Sequence, residues 1–286
     1  MTAPAISVPD VNPTQRRWRS RLSCFDLASL ALLTLVCGVA LCAPLLAPFD
    51  PVARVGDAFA PMGTDGFLLG TDDGGRDMLS RLLYGTRSSL VSAVAVVAIT
   101  ALLGTIIGAV AASCGGWIDS LLMRTTDLFL AMPAVLVAIA VVAALGPSLS
   151  NTLLAIGIVW WPAYARIVRN ELVSIGARSH IVGAQLTGVS GPRLVARHLL
   201  PGIAPLLLIT ATLDIASIIG ILAGLSFFGL GSSAPSPELG AMTFQGLPYF
   251  LSHPAVPLVP ALGVFALGFS FNLAGDAVRP LLAANR

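Results

Sequence analysis

The sequence predicts an all-α membrane protein, and three observations carry that expectation. Of its 286 residues 56% are hydrophobic and only 10% charged, with a mean hydropathy of +0.89, where a soluble domain carries about 25% charged residues. Apolar runs of bilayer-crossing length recur six times along the chain, each near the roughly 20 residues a helix needs to cross the hydrocarbon. Arginines gather on alternate connections between those runs. This composition excludes a secreted toxin, a nucleic-acid reader and a disordered tail.

Residues 1–26 place Arg16, Arg17, Arg19 and Arg21 ahead of a first apolar run at 27–47. The run is too long for a signal-peptide core and no small-x-small cleavage site ends it, so a retained first helix with its basic start in the cytoplasm is expected. Residues 48–88 form an extracytoplasmic loop carrying Asp50, Asp57, Asp65, Asp72, Asp73 and Asp77 among turn signals such as Pro51, Gly63 and Gly74-Gly75, with a short interfacial helix near 77–84. Further spans are expected at 89–112, 121–145, 152–168, 203–224 and 256–277, making a five-helix core over 89–282 with a long cytoplasmic loop at 169–201. With the N-terminus inside, twelve arginines fall on cytoplasmic segments and four (Arg54, Arg76, Arg81 and Arg87) on outer ones, which sets both termini in the cytoplasm.

All sixteen basic residues are arginine. No Walker A, Schiff-base or pyridoxal lysine can therefore exist on this chain. Cys24, Cys37, Cys42 and Cys114 lack paired ligand spacing and read as free thiols, and His180, His198 and His253 are dispersed. The stretch Asp72-Asp73-Gly74-Gly75-Arg76-Asp77 lacks the alternating ligands and closing glutamate of a calcium loop. Its glycines suit a turn in which Arg76 and Asp77 either lock the outer loop or meet a binding protein.

Two rows of small residues, Gly104, Gly108 and Ala112 in the second span and Ala216, Gly220 and Gly224 in the fifth, allow close helix approach, either within the bundle or against a second membrane subunit. Pro133 and Pro162 fall inside spans three and four, where each would kink a helix. Asp214 is the one acid near the middle of an apolar run, either hydrogen-bonded structurally or lining a pathway, since an ionisable group there avoids lipid. In the cytoplasmic loop, 181–188 could form two helical turns that are an ordinary hairpin or a helix docking into a partner's groove.

At this point the residues resemble a family. The stretch Ser179-His180-Ile181-Val182-Gly183-Ala184-Gln185-Leu186-Thr187-Gly188-Val189-Ser190, followed by Arg197-His198-Leu199-Leu200-Pro201, is similar to the Glu-Ala-Ala loop of binding-protein-dependent ABC importer permeases. Leu69-Gly70-Thr71-Asp72-Asp73-Gly74-Gly75-Arg76-Asp77 with Leu79-Ser80-Arg81-Leu82 and Tyr84-Gly85-Thr86-Arg87, then Gly115-Gly116-Trp117-Ile118-Asp119, Leu145-Gly146-Pro147-Ser148-Leu149, Leu225-Ser226-Phe227-Phe228-Gly229-Leu230-Gly231 and Phe271-Asn272-Leu273-Ala274-Gly275-Asp276, complete the resemblance, which covers roughly residues 20–282 and points to the C-type subunits of peptide importers. Val182 and Gly183 stand where the family pattern has glutamate and its first alanine, while Ala184 and Gly188 are kept. Leu222 stands at a position often glutamate, Leu239 at a tryptophan, and Asp214 at a frequent asparagine.

The resemblance implies a six-helix, type I importer permease of the bacterial inner membrane, carrying dipeptides or oligopeptides and hydrolysing no ATP itself. It implies a homologous B-type permease, two ATPase domains that bind ATP and Mg, and an extracytoplasmic binding protein as partners, with lipid around them and no nucleic acid. It assigns ATPase coupling to Ile181, Val182, Gly183, Ala184, Gly188, Arg193, Arg197, His198 and Pro201, and an outer signature to Gly70, Thr71, Asp72, Gly75, Arg76 and Asp77. No cofactor or metal is implied on this chain. Permeases for nickel, opines and other small solutes share these signatures and remain an alternative. A membrane protease using Ser226 lacks a buried histidine, and a self-sufficient channel would leave the basic loop without a task.

Overall fold

The computed structural model describes residues 23–64, 66–178, 181, 183 and 191–283, and its regular elements are all helices. Helix α1 (Cys24–Leu41) opens on a capping box in which the Ser23 amide donates to Asp26 and the Phe25 amide donates to the Ser23 hydroxyl. The short α2 (Ala43–Leu46) follows, so the apolar run expected at 27–47 is one helix and a separate turn. After the outer loop, α3 (Met78–Cys114) is 37 residues long, about 55 Å at 1.5 Å per residue. That exceeds the roughly 30 Å hydrocarbon core. The short helix expected near 77–84 is therefore the opening of α3, projecting beyond the apolar stretch.

Helices α4 (Gly116–Ala131) and α5 (Ala134–Leu145) turn the kink expected at Pro133, inside the span at 121–145, into a full break: they meet at 88°. Pro133 supplies the cause. It cannot donate to the preceding turn and it disfavours a helical residue before it, and Met132 is extended at φ −88, ψ 139. With 12 residues, about 18 Å, α5 alone is shorter than the bilayer core. Pro162, by contrast, is absorbed within α6 (Leu149–Gly176), which continues through it. Helix α7 (Gly191–Leu194) runs through a π turn at Val195–Leu199 into α8 (Leu200–Phe227). The chain closes with α9 (Leu239–Gly246), a 3₁₀ turn at Leu247–Tyr249 and α10 (Ala255–Ala283).

Among the described residues, four helices are long and apolar enough to cross a membrane: α1, α3, α8 and the Ala255–Val278 part of α10; the bent α4–α5 pair makes a fifth if it counts as one span. Helix α6 has the length, 28 residues, but Trp160, Trp161, Pro162 and Tyr164 interrupt its apolar run. Contacts sort the helix ends into two sets. At one end the Phe49 amide donates to the Ser80 hydroxyl, Thr152 donates to the Leu230 carbonyl, and Phe59 stacks on His253. At the other, Arg169 near the end of α6 pairs with Asp119 at the start of α4. Helices α3 and α6 thus run in the same direction, as the successive pairing of Gly104 with Tyr164 and Gly108 with Ala165 also requires, while α8 runs back and α10 returns.

The tightest packing joins α3 to α6. A Cβ on Gly104 would lie 2.4 Å from the Tyr164 Cβ and 2.7 Å from the Trp161 carbonyl oxygen, and one on Gly108 would lie 2.5 Å from the Ala165 carbonyl oxygen. The first small-residue row is therefore used inside this chain. In the second row Ala216 is buried, whereas a Cβ on Gly220 or Gly224 would meet nothing within 4 Å, so that face is open. Ile218, Ile219, Leu222 and Leu225 on the other side of α8 enter the main core with Leu90, Val96, Val97, Ala155, Ile156, Leu267 and Phe271. Gly104→Val should force α3 and α6 apart at a cost of about 1–3 kcal/mol. A thermal unfolding series in detergent that leaves this variant as stable as the parent would refute the close crossing.

Candidate functional site

The outer signature forms a clasp. Gly70 and Gly75 adopt φ +75 and +69, and a Cβ on them would lie 2.4 Å from the Ala60 oxygen and 2.2 Å from the Gly56 oxygen, so both positions require glycine. Between them the Thr71 hydroxyl donates to the Asp57 carbonyl at 2.6 Å and accepts the Ala60 amide at 2.8 Å. Asp72 is buried and accepts the Gly74 and Arg76 amides at 2.9 Å each, the Arg76 guanidinium at 2.8 Å and the Arg81 guanidinium at 3.2 Å. Asp77 caps α3, accepting the Ser80 amide at 2.7 Å and its hydroxyl at 2.6 Å.

Arg81 completes the clasp from inside α3. It is 1% exposed, pairs with Asp72, and donates through Nη1 to the Pro51 carbonyl at 3.0 Å and the Pro235 carbonyl at 2.9 Å. One guanidinium thereby ties the loop before α3 to the loop before α9, 154 residues further on. Nearby, Glu238 is buried and caps α9, accepting the Gly240 and Ala241 amides at 2.9 Å each. Burial pushes its carboxyl above the usual glutamate range, against the pull of the Ser226 hydroxyl and those two amides. Leu239 beside it fills the space left by Gly85 and Gly263.

In the middle of the bundle, Asp214 on α8 is half-buried and faces the Tyr164 hydroxyl and the Trp160 indole of α6. Tyr164 is fully buried and its hydroxyl has no hydrogen-bond partner within bonding geometry. Leu222, two turns along α8, is packed in the core.

At the opposite end from the clasp, Arg169 binds Asp119 with Nε to Oδ1 at 3.0 Å and Nη2 to Oδ2 at 2.5 Å, and Arg166 pairs with Asp127. Helix α4 is thus pinned across α6 at both of its acids. Ile181 is fully buried among Val168, Leu172, Ile175, Leu194, Leu199 and Ile203, while Gly183, Arg193, Arg197 and Pro201 are exposed. Val182, Ala184 and Gly188 lie outside the described residues, as does the His198 side chain. A cavity of about 380 Å³ opens beside this cluster between Ala112, Leu172, Gly191 and Leu199.

The model of one protein family, the binding-protein-dependent transport system inner membrane component, matches residues 102–284. The chain belongs to that family. Over 262 residues it is 34% identical to the dipeptide transport system permease protein DppC of Haemophilus influenzae, with 90% of this chain and 89% of that one aligned. It is 39% identical over 213 residues to the DppC of Alkalihalophilus pseudofirmus, covering 74% and 70%. It is also 36% identical over 263 residues to the nickel transport system permease protein NikC of Escherichia coli, covering 92% and 93%. As a member of the family, the permease is a multi-pass inner-membrane protein. The family match starts within α3, but alignment over nine tenths of the chain takes in the clasp as well.

Reading the sequence alone missed four residues of this permease: Arg81, Glu238, Trp160 and Tyr164. Arg81 counted as an outer charge and as one residue of the Leu79-Ser80-Arg81-Leu82 resemblance, with no role of its own, although its place four residues after Asp77, on the first turn of a helix, was a signal that it could turn back onto the aspartates. Trp160 and Tyr164, four apart in an apolar run, marked one face of α6.

Two outcomes follow. Arg81→Ala removes a donor from two carbonyls and a buried acid, and should cost about 3 kcal/mol or more. Arg81→Lys should restore little of it, because an ammonium cannot span three acceptors in a fork. Thermal unfolding of the purified permease measures both. Glu238, with its folded value raised, favours the folded state at low pH and loses that contribution as pH rises through the raised value. Glu238→Gln should flatten this part of the stability-against-pH curve, from the usual glutamate range upward; an unchanged curve would remove Glu238 from the account.

Proposed function

We infer that this permease is the C-type half of an ATP-driven importer of dipeptides or oligopeptides. The observation that carries the reading is the relationship to dipeptide permeases along nine tenths of the chain. The absence of any lysine supports an ATP site elsewhere, on two partner ATPase domains with Mg. Six alternating segments, with the α4–α5 pair as the third, and twelve arginines against four support both termini in the cytoplasm.

In this reading the end with the Asp119–Arg169 pair is cytoplasmic. Arg193, Arg197 and Pro201 are exposed there beside Gly183, available to an ATPase groove, whereas Ile181 is buried and braces the loop. Val182, Ala184, Gly188 and His198 belong to the same coupling segment. The clasp of Gly70, Thr71, Asp72, Gly75, Arg76 and Asp77 faces the extracytoplasmic binding protein. The open face of α8 fronts the homologous B-type permease, close against it at Gly220 and Gly224 and parted from it by the pathway at Asp214, so that each subunit forms half of that pathway. ATP-driven closure of the ATPases would then shift the pair between inward and outward access through interactions that differ between the two states.

The NikC relationship favours nickel as the second reading. Among the described residues no group of three or more His, Cys, Asp or Glu could hold a metal ion, which supports peptides over nickel on this chain. Purification of the permease with its co-expressed partners, followed by ATPase assay in proteoliposomes, tests the proposal. Peptide-loaded binding protein should stimulate hydrolysis several-fold; stimulation by nickel-loaded protein alone would transfer the assignment to nickel, and solute flux without ATP would overturn it.

A further inference from the structure

Three of the five polar side chains of α8, Thr210, Asp214 and Ser217, share one helix face at steps of four and three residues, and Ile221 and Gly224 continue that face at further steps of four and three. That face is the open one. Ser217 is exposed, Thr210, Asp214, Ile221 and Gly224 are half-buried, and the flanking Gly220 has free space around it. Thr210 and Ser217 satisfy themselves by donating to the Leu206 and Leu213 carbonyls at 3.0 and 3.3 Å.

Asp214 is different. Among the described residues it forms no ion pair. Its neighbours across the helix contact are the aromatic Trp160 and Tyr164, the latter with an unpartnered hydroxyl. Trp160 and Tyr164 offer Asp214 hydrogen-bond donors but no positive charge, and a carboxylate in a helix that crosses lipid is further stabilised by water or a cation. One carboxylate beside aromatic rings is a poor metal site, since divalent ions take several oxygen or nitrogen donors. It suits an organic cation, held by charge on one side and by a ring on the other.

We propose that the Thr210–Asp214–Ser217 face of α8 lines an aqueous path and that Asp214, flanked by Trp160 and Tyr164, receives the ammonium group of the cargo as it passes. This rests on the reading of the chain as half of a transport pathway and deepens it: a peptide with a free N-terminus carries that ammonium group, and a blocked peptide does not. Asp214 then acts as a selectivity residue for charge, acting after the binding protein has released its load.

The test uses the assembled transporter in native membrane vesicles, with Cys24, Cys37, Cys42 and Cys114 replaced by serine and Ser217→Cys introduced one turn from Asp214. The rates of modification by a cationic and an anionic methanethiosulfonate are compared with Asp214 present and with Asp214→Asn. The expected result is a cationic preference of about threefold or more that collapses in Asp214→Asn and returns in Asp214→Glu. No modification by either reagent would overturn the aqueous face, and a ratio indifferent to Asp214 would overturn the cation site. Alkylammonium ions should slow the cationic reagent; slowing by nickel alone would overturn the ammonium assignment. Since the labelling needs no peptide transport, loss of peptide-stimulated ATPase in the parent complex would be recognised separately as failure of the importer reading. In proteoliposomes, Asp214→Asn should narrow the uptake difference between free and N-acetylated peptide.

Discussion

The approach of α3 to α6 is the contact on which the rest of this permease depends. In lipid the helices gain nothing from hiding apolar surface, so association rests on how closely two backbones can pack. Gly104 and Gly108 bring α3 against the backbone of α6 at Trp161 and Ala165, and no side chain could be added there. That crossing buries Tyr164, and with it fixes where α6 presents its aromatic face to Asp214. It also frees α6 from having to be strongly apolar. A helix enclosed by its neighbours can carry two tryptophans, a proline and a tyrosine in its middle without exposing them all to lipid.

Around that crossing the two ends of the bundle are held by different chemistry. The clasp end uses glycine turns, buried carboxylates and one guanidinium that satisfies several acceptors, a dense polar network that, among the described residues, leaves Asp77 Oδ1 as its one clasp carboxylate oxygen buried without a partner. The other end relies on two arginine–aspartate pairs and a small apolar cluster around Ile181. Its ion pairs are more open to solvent. The coupling role proposed for the segment around Ile181 suits that end better than the clasp end.

Much of this was legible in the sequence for definite reasons. Spans two, five and six are long and strongly apolar on average, and hydropathy locates such runs whatever they pack against. The turn at Gly70 and Gly75 was legible because aspartate and glycine in that density mark a turn, though the partners of each carboxylate depend on chain folding that no local pattern encodes. The bend beside Met132 was legible from Pro133, but its size was not, because the same reading applied to Pro162, through which α6 continues. Arg81 was hidden for another reason: its acceptors are the Pro51 and Pro235 carbonyls, far from it in sequence and invisible to any motif. The first small-residue row was legible as a close contact, but which helix it would touch came only from the structure.

The Arg81 bond to both Pro51 and Pro235 has a mechanical meaning. The loop preceding α3 and the loop preceding α9 are fastened to the same guanidinium, itself rooted in the first turn of α3, so these three parts translate and rotate together. They make a rigid cap rather than a pair of jaws. A passage opening on that side cannot come from the two loops parting from each other within this subunit. It has to come from the whole cap tilting as a plate, pivoting on the long lever of α3, away from whatever stands across the path.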